Sequence, residues 1–282
     1  MLTCNKCIST IILFLFLISG AVCIITTSVN SAPPTLSNTE FSNDVDIQLA
    51  LAVDVSRSMD PDEQRIQRNG YAETIESAAF LRSITGGRHR RIAIAYFEWG
   101  GATEQSVVVN WTLIDGPASA TQFAKKLREA PISRASRTSI SGAIYFAINF
   151  FRASPYLGRS VLDLSADGPN NDGGVVTIAR DAAIRQNITI NGLPIMIMNP
   201  SESPVDIEHL DFYFEDCVIG GDSSFMIPIT TKEQFQSSIK MKMTSEVAGK
   251  VPVSKPKLVH AAAPRISCTI GEQRQRSNPS SQ

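Results

Sequence analysis

Histidine is scarce in this chain. His89, His209 and His260 are the three among 282 residues, they are scattered, and none stands in an H-E-x-x-H spacing. Each reads as a surface or loop residue, so a zinc site built on imidazoles has no candidate ligands. There is no G-x-S-x-G nucleophile elbow and no Gly-rich P-loop, which removes the common sequence signatures of serine hydrolases and nucleotide hydrolases. Charge of one sign is not in excess: 26 basic and 27 acidic residues leave a formal net charge of -1. A nucleic-acid polyanion therefore finds no electrostatic footprint. Cysteine is also sparse where it could serve a fold. Cys4, Cys7 and Cys23 crowd into the first 23 residues, leaving Cys217 and Cys268. What remains is ordinary for a globular protein: 43% hydrophobic and 19% charged residues, in a length that suits one large domain plus tails.

The one long apolar run lies at the start. Ile11 to Ile18 reads IILFLFLI behind a single Lys6, and small residues follow at Ser19, Gly20 and Ala21. A polar stretch from Thr26 to Ala32 ends in Val29-Asn30-Ser31-Ala32, just before Pro33-Pro34. This pattern resembles a secretory signal peptide over residues 1–32, followed by a linker over 33–43. The competing interpretation is an uncleaved anchor, because the apolar stretch extends to Ile25 at about 18 residues. Cys23 does not make a lipoprotein site, since Val22 stands where a small residue is wanted. Either way the bulk of the chain is expected to be exported, periplasmic or extracellular, with no membrane contact once the signal is removed. In an oxidising compartment Cys217 and Cys268 could pair.

From Asp46 onward, strand-like and helix-like patterns alternate. Ile47–Val53 is a nearly continuous apolar run ending in Asp54, the pattern of a strand covered on both faces. Asp60 as N-cap, Pro61 and Glu63 then open a helix whose stripe (Ile66, Tyr71, Ile75, Ala78, Ala79) runs to Gly86-Gly87. Arg91–Phe97 and Ser106–Trp111 form two strands close enough to pair antiparallel. Ser119 and Gln122 suggest a capping box for a short helix stopped by Pro131. Ile140, Ile144, Ala147, Ile148 and Phe151 give the clearest helical stripe. Ser160–Ser165 is a strand leading to Asp167-Gly168. A helix over about 175–186 and a strand over about 188–197 follow. Phe225–Ile229 reads as a last strand at an edge, because of Pro228. Thr231 and Gln234 cap a final helix ending at Gly249. Residues 250–282 show almost no apolar pattern and read as a disordered tail. The alternation over 44–249 implies an α/β domain: a doubly wound, mainly parallel sheet with one antiparallel edge strand and helices on both faces. Its binding crevice should lie beyond the carboxyl ends of the strands.

That edge collects a particular set of side chains. Asp54 follows the first strand and Asp167 the fourth; Ser56 and Ser58 lie in the loop after the first strand, and Thr138 in the loop before the Ile140 helix. Two carboxylates and three hydroxyls, with no sulfur or imidazole, suit a hard divalent cation. Asp54-Val-Ser56-Arg-Ser58, the downstream Thr138 opening a helix, and Asp167-Gly168 after a later strand resemble, in order, the metal-ion-dependent adhesion site of von Willebrand factor type A domains. The phrases Tyr96-Phe-Glu-Trp99, Asp167-Gly-Pro-Asn-Asn171, Ile190-Asn-Gly-Leu-Pro194 and Val218-Ile-Gly-Gly221 are similar to a secreted bacterial subgroup of these domains whose function is unassigned. The resemblance implies Mg²⁺ (or Mn²⁺ or Ca²⁺) held by Asp54, Ser56, Ser58, Thr138 and Asp167. It further implies a protein partner whose Asp or Glu carboxylate completes the coordination, and a binding module in place of an enzyme.

Each residue also has a plainer explanation. Ser56 and Ser58 suit turn chemistry, Thr138 a helix cap, and Asp167 an Asp-Gly turn. Asn170 and Asn171 look like turn residues. Glu98 and Trp99 end a strand near the same edge and could shape its rim, but packing and solvation are the simpler explanations. An Asp after a first strand also resembles aspartate-nucleophile phosphatases. Those need a second Asp two residues on as general acid, where this chain has Ser56. A metal-free structural role in the envelope is a third expectation.

Overall fold

The apolar run from Ile47 to Val53 forms the middle of β1 (Asp44–Asp54), and β1 is the central strand of a five-stranded sheet. The computed structural model describes residues 43–57, 61–197, 207–250 and 265–277. The expected signal peptide, most of the linker, Ser58 and Asp60 lie outside the described residues. In chain order the further elements are α1 (Pro61–Glu76), α2 (Ala78–Thr85), β2 (Ile92–Trp99), β3 (Gln105–Ile114), α3 (Pro117–Glu129), α4 (Ile140–Arg152), β4 (Leu157–Ala166), α5 (Val176–Ile184) and β5 (Ile188–Pro194). Then come α6 (Leu210–Tyr213), which runs into a wide turn over Phe214–Val218, α7 (Phe235–Ala248) and α8 (Ile270–Ser277).

The strand order is β3-β2-β1-β4-β5. β1 pairs in parallel with β2 and β4, β4 in parallel with β5, and β3 antiparallel with β2 at one edge. This is the doubly wound arrangement expected from the alternation. Successive side chains of a strand point to opposite faces. Leu49, Leu51 and Val53 therefore enter one core, shared with α1, α2, α3 and α7. Ala50 and Ala52 enter the other, shared with α4, α5 and α6. Each fully buried Leu, Ile, Val or Phe stabilises the fold by roughly 1.5–3 kcal/mol. The chain winds to opposite sides of β1, so the switch point of the sheet falls between the neighbouring ends of β1 and β4.

Several local expectations need correcting. The single helix from Pro61 to Thr85 is two: α1 stops at Glu76, and the Ser77 side chain accepts from the Phe80 N–H (3.3 Å) to cap α2. Ser119 is not an N-cap but lies inside the first turn of α3, behind Pro117, where its hydroxyl accepts from the Gly116 N–H (3.2 Å). Phe225–Ile229 is not a regular strand. It makes two isolated bridges, Met226 with Gly192 of β5 and Ile229 with Ile195 just beyond it, and Pro228 has no N–H to extend a ladder. Thr231 leads a short 3₁₀ turn ahead of α7, and the Gln234 side chain accepts from the Thr230 N–H (2.9 Å). Gly249 ends α7 in the left-handed conformation (φ 62°), as a C-terminal glycine should.

The tail is the largest departure. Residues 265–277 are ordered into a turn and α8, and Cys268 is disulfide-bonded to Cys217 with Cα atoms 5.5 Å apart. Ile266, Cys268 and Ile270 pack against the second core. The anchoring comes from a covalent link and three partly buried side chains, which leave no periodic apolar pattern to read.

One charged group is carried deep into the first core. Lys242 of α7 is fully buried between Asp163 of β4 (2.6 Å) and Glu246 (2.7 Å). The Asn191 side chain donates to Glu246 as well (2.9 Å).

Candidate metal centre at the switch point

Asp54 is the last residue of β1 and is completely buried. The chain leaving it is pinned on both sides. The Val55 N–H donates to the Trp99 carbonyl at the end of β2 (2.9 Å), and the Val55 carbonyl accepts from the Ala135 N–H (2.8 Å). The Ser56 N–H turns back to donate to Asp54 Oδ1 (2.8 Å). This is the turn chemistry expected of an Asp two residues ahead of a Ser. It leaves Asp54 Oδ2 buried with no hydrogen-bond partner.

Asp167 follows the end of β4, the neighbour of β1, and is 8% exposed. The two carboxylates sit close enough to repel. Burial first, and the charge of Asp167 second, push the Asp54 carboxyl well above the usual carboxylate range. Hydrogen bonds from the Ser56 backbone and hydroxyl and from the Asp167 backbone oppose that push.

Thr138 is 4% exposed and precedes α4. It does not cap the helix; Ser139 does, accepting from the Gly142 N–H (3.1 Å). The backbone of Thr138 is clamped by Asn171, which accepts from the Thr138 N–H (3.1 Å) and donates its own N–H to the Thr138 carbonyl (2.9 Å). Asn170 Oδ1 accepts from the Ser141 N–H (2.8 Å), and Ser139 Oγ donates to the Asp172 carbonyl (2.9 Å). The loop carrying Asp167 and the loop carrying Thr138 are thus laced together.

Asp54, Ser56, Thr138 and Asp167 all occupy the carboxyl edge of the sheet at its switch point, while Ser58 lies outside the described residues. Trp99 and Glu98 are both buried, so packing holds for them and solvation does not. Glu98 is ion-paired with Arg68 of α1, whose guanidinium also donates to the Ala130 carbonyl (2.6 Å). Sequence reasoning missed that link, and missed Asn170, Asn171 and Ser139 as braces between loops. Their partners are some 30 residues away, so nothing local marks them. Asn170 and Asn171 are turn residues as expected, but the Asn170 side chain reaches across to Ser141 of α4 and the Asn171 side chain to Thr138 ahead of it.

Among the described residues, no group of three or more His, Cys, Asp and Glu is placed to hold a metal. A cation at this edge would therefore depend on hydroxyls as well as the two carboxylates. The donors present fit such an ion. A buried carboxylate oxygen without a partner, beside a second carboxylate, is costly until a cation or a proton compensates it. The surrounding oxygens are the hard, neutral donors that Mg²⁺ accepts.

The family model described as "Protein of unknown function (DUF1194)" matches residues 44–251. No curated protein matches the chain. Among solved structures, a von Willebrand factor type A protein from Catenulispora acidiphila is similar, at 15% identity and a TM-score of 0.50, covering 73% of this chain and 43% of that one. The pilus adhesin SpaC from Lactobacillus rhamnosus GG has a TM-score of 0.53 at 8% identity, covering 72% of this chain and 30% of its own. Proximal thread matrix protein 1 from the mussel byssus has a TM-score of 0.52 at 11% identity, covering 72% and 48%. The chain spans less than half the length of these structures. At such identities the likeness establishes the fold, which is that of von Willebrand factor type A domains.

Proposed function

The chain belongs to the DUF1194 family and carries a von Willebrand factor type A fold, and on that premise we propose that it is an exported, divalent-metal-dependent protein-binding module serving adhesion or envelope assembly. The observation that carries this reading is the buried Asp54 carboxylate, with an unpartnered oxygen, beside Asp167 at the switch point. Ser56, Ser58 and Thr138 would hold Mg²⁺ through hydroxyl oxygens, and Asp54 and Asp167 would bind it directly or hold its waters. An ion held largely by neutral donors keeps positive character and an exchangeable position, so an Asp or Glu of a protein partner is its natural last ligand. Mn²⁺ and Ca²⁺ offer the same oxygen preference.

Export is supported by the signal-like pattern of residues 1–32. Among the described residues, no helix is long and apolar enough to cross a membrane. A phosphatase-like nucleophilic role for Asp54 draws no support from the site. The position of the required acid is Ser56, whose N–H and hydroxyl are both turned onto Asp54.

Titration calorimetry of the mature chain with Mg²⁺ tests the reading. Binding near 1:1 that Asp54→Ala removes is the expected result; undiminished binding in that variant would sink the assignment. Partner capture from an envelope extract should vanish with excess chelator and in Asp167→Ala, and persistence in both cases would move the binding surface elsewhere on the domain.

A further inference from the structure

The ordered C-terminal segment meets the candidate site at Asn170, one of the braces between its two loops. Asn170 is held from three elements. Its Oδ1 accepts from the Ser141 N–H of α4 (2.8 Å), its N–H donates to the Tyr213 hydroxyl of α6 (3.2 Å), and its Nδ2 donates to Glu272 Oε1 of α8 (2.8 Å). Gly271 lies directly on Asn170: a Cβ there would stand 2.1 Å from the Asn170 carbonyl oxygen and 3.2 Å from the Pro169 ring. The approach is possible only for glycine. Behind α8 the segment is fastened to the wide turn after α6. Cys268 is bonded to Cys217, Arg265 pairs with Glu215 (2.7 Å) and Asp216 (2.9 Å), and its guanidinium lies 4.2 Å from the centre of the Phe212 ring.

We propose that residues 265–277 form a disulfide-held clasp in which Gly271 and Glu272 fix Asn170, and so set the position of the Asp167 loop against the Thr138 loop. A dithiol reductant would release it. Cys217 is fully buried and Cys268 only partly so, which directs attack to Cys268 Sγ. The reductant's thiolate bonds to Cys268 Sγ, the Sγ–Sγ bond breaks, and Cys217 leaves as a thiolate that takes up a proton. The reductant's second thiol then displaces Cys268, which also becomes a thiol. The dithiol ends as a disulfide, having given up two electrons. Glu272 and Gly271 are positioning residues, because they act on the site through Asn170. The effect on metal affinity rests on the function proposed above, whereas the clasp does not.

Hydrogen exchange of the full mature chain, free of metal, tests the clasp directly. Amides of residues 138–142 and 167–174 should lose protection by about tenfold or more on reduction with dithiothreitol and in Cys268→Ser, while the interiors of β1 and β4 keep theirs. Oxidised Gly271→Ala, with the disulfide intact, should lose the same protection. Oxidised Glu272→Ala should follow it, and Glu272→Gln, which still offers an acceptor to Asn170, should retain the wild-type pattern. Unchanged protection of these loops in both the reduced protein and Gly271→Ala would overturn the proposal. So would a uniform loss across the sheet, because that is the behaviour of a general stabiliser. Mg²⁺ affinity of the clasp variants should fall by about tenfold, as for other outer contacts that orient ligands. If exchange responds as stated and Mg²⁺ binds to none of the proteins, the clasp stands and the metal reading fails.

Discussion

Asp54 and Glu246 are both buried carboxyls pushed upward, for different reasons. Glu246 is raised from 4.5 to about 8, mainly by burial and then by the charge of Asp163, with Lys242 and Asn191 opposing. One lysine between two carboxylates leaves a surplus negative charge, and a proton on Glu246 removes it. Between about 4.5 and about 8 the folded protein holds a proton that the unfolded chain releases, so stability falls as pH rises through that window. The urea midpoint should therefore fall on going from about pH 6 to about pH 8, more steeply in the wild type than in Glu246→Gln. The difference between the two proteins is the informative quantity, because Asp54 contributes a slope of the same sign in metal-free protein. Equal slopes would mean that Glu246 is ionised throughout. For Asp54 the expectation concerns charge. Asp54→Asn keeps an acceptor for the Ser56 N–H but ends the repulsion with Asp167. The metal-free variant should be more stable than the wild type by about 1 kcal/mol, and divalent ions should no longer stabilise it. Thermal melts with Mg²⁺ and with chelator check both halves. Destabilisation of the metal-free variant would show that the two carboxylates do not strain the fold.

Among the elements, α4 ties the site to the core, and its cap falls one residue later than the sequence suggested, on Ser139 in place of Thr138. Ser139 caps it and also donates to Asp172, so Ser139→Ala removes a cap and a loop tie together. A loss of about 1 kcal/mol in the denaturation midpoint is expected, with a smaller response to Mg²⁺. No change in either would assign Ser139 to mere filling. The apolar stripe of α4 was legible from spacing alone, as were β1, β2, β4 and β5 from their runs, because burial on one or both faces writes itself into local periodicity. The break between α1 and α2 was not legible, since the stripe of Tyr71 and Ile75 continues in Phe80 and Ile84 across Ser77. Nor was α8, whose eight residues include one apolar side chain and are fastened by a disulfide, a glycine and an ion pair. Asp54, Ser56, Thr138 and Asp167 could be placed at the sheet edge because strand ends are readable. Asn170 and Glu272, 102 residues apart, could not be joined. Local patterns carry the core, and side-chain bonds across such separations leave none.

At the scale of the whole molecule, metal and fold should be linked. An ion that binds only the folded chain stabilises it by about 2.7 kcal/mol at a hundredfold excess over its dissociation constant. The melting temperature of the mature protein should thus climb with Mg²⁺ concentration, and a flat response would argue for a metal-free structural role. N-terminal sequencing of exported protein should begin near Pro33; a retained Met1 would favour the anchor. The central place of β1 has a further consequence, for the time course of folding. β1 is the first strand made, yet one of its two neighbours is β4, and Gln48 donates to the Gly158 carbonyl across 110 residues of chain. Closing so long a loop costs entropy before any contact repays it, and parallel sheets of high contact order fold slowly. The emerging chain can pair β1 with β2 and β2 with β3, but that half-sheet keeps one flank of β1 open until β4 arrives. The nascent N-terminal half is therefore a transient sticky edge, and fragments ending before Leu157 should aggregate where the full domain does not.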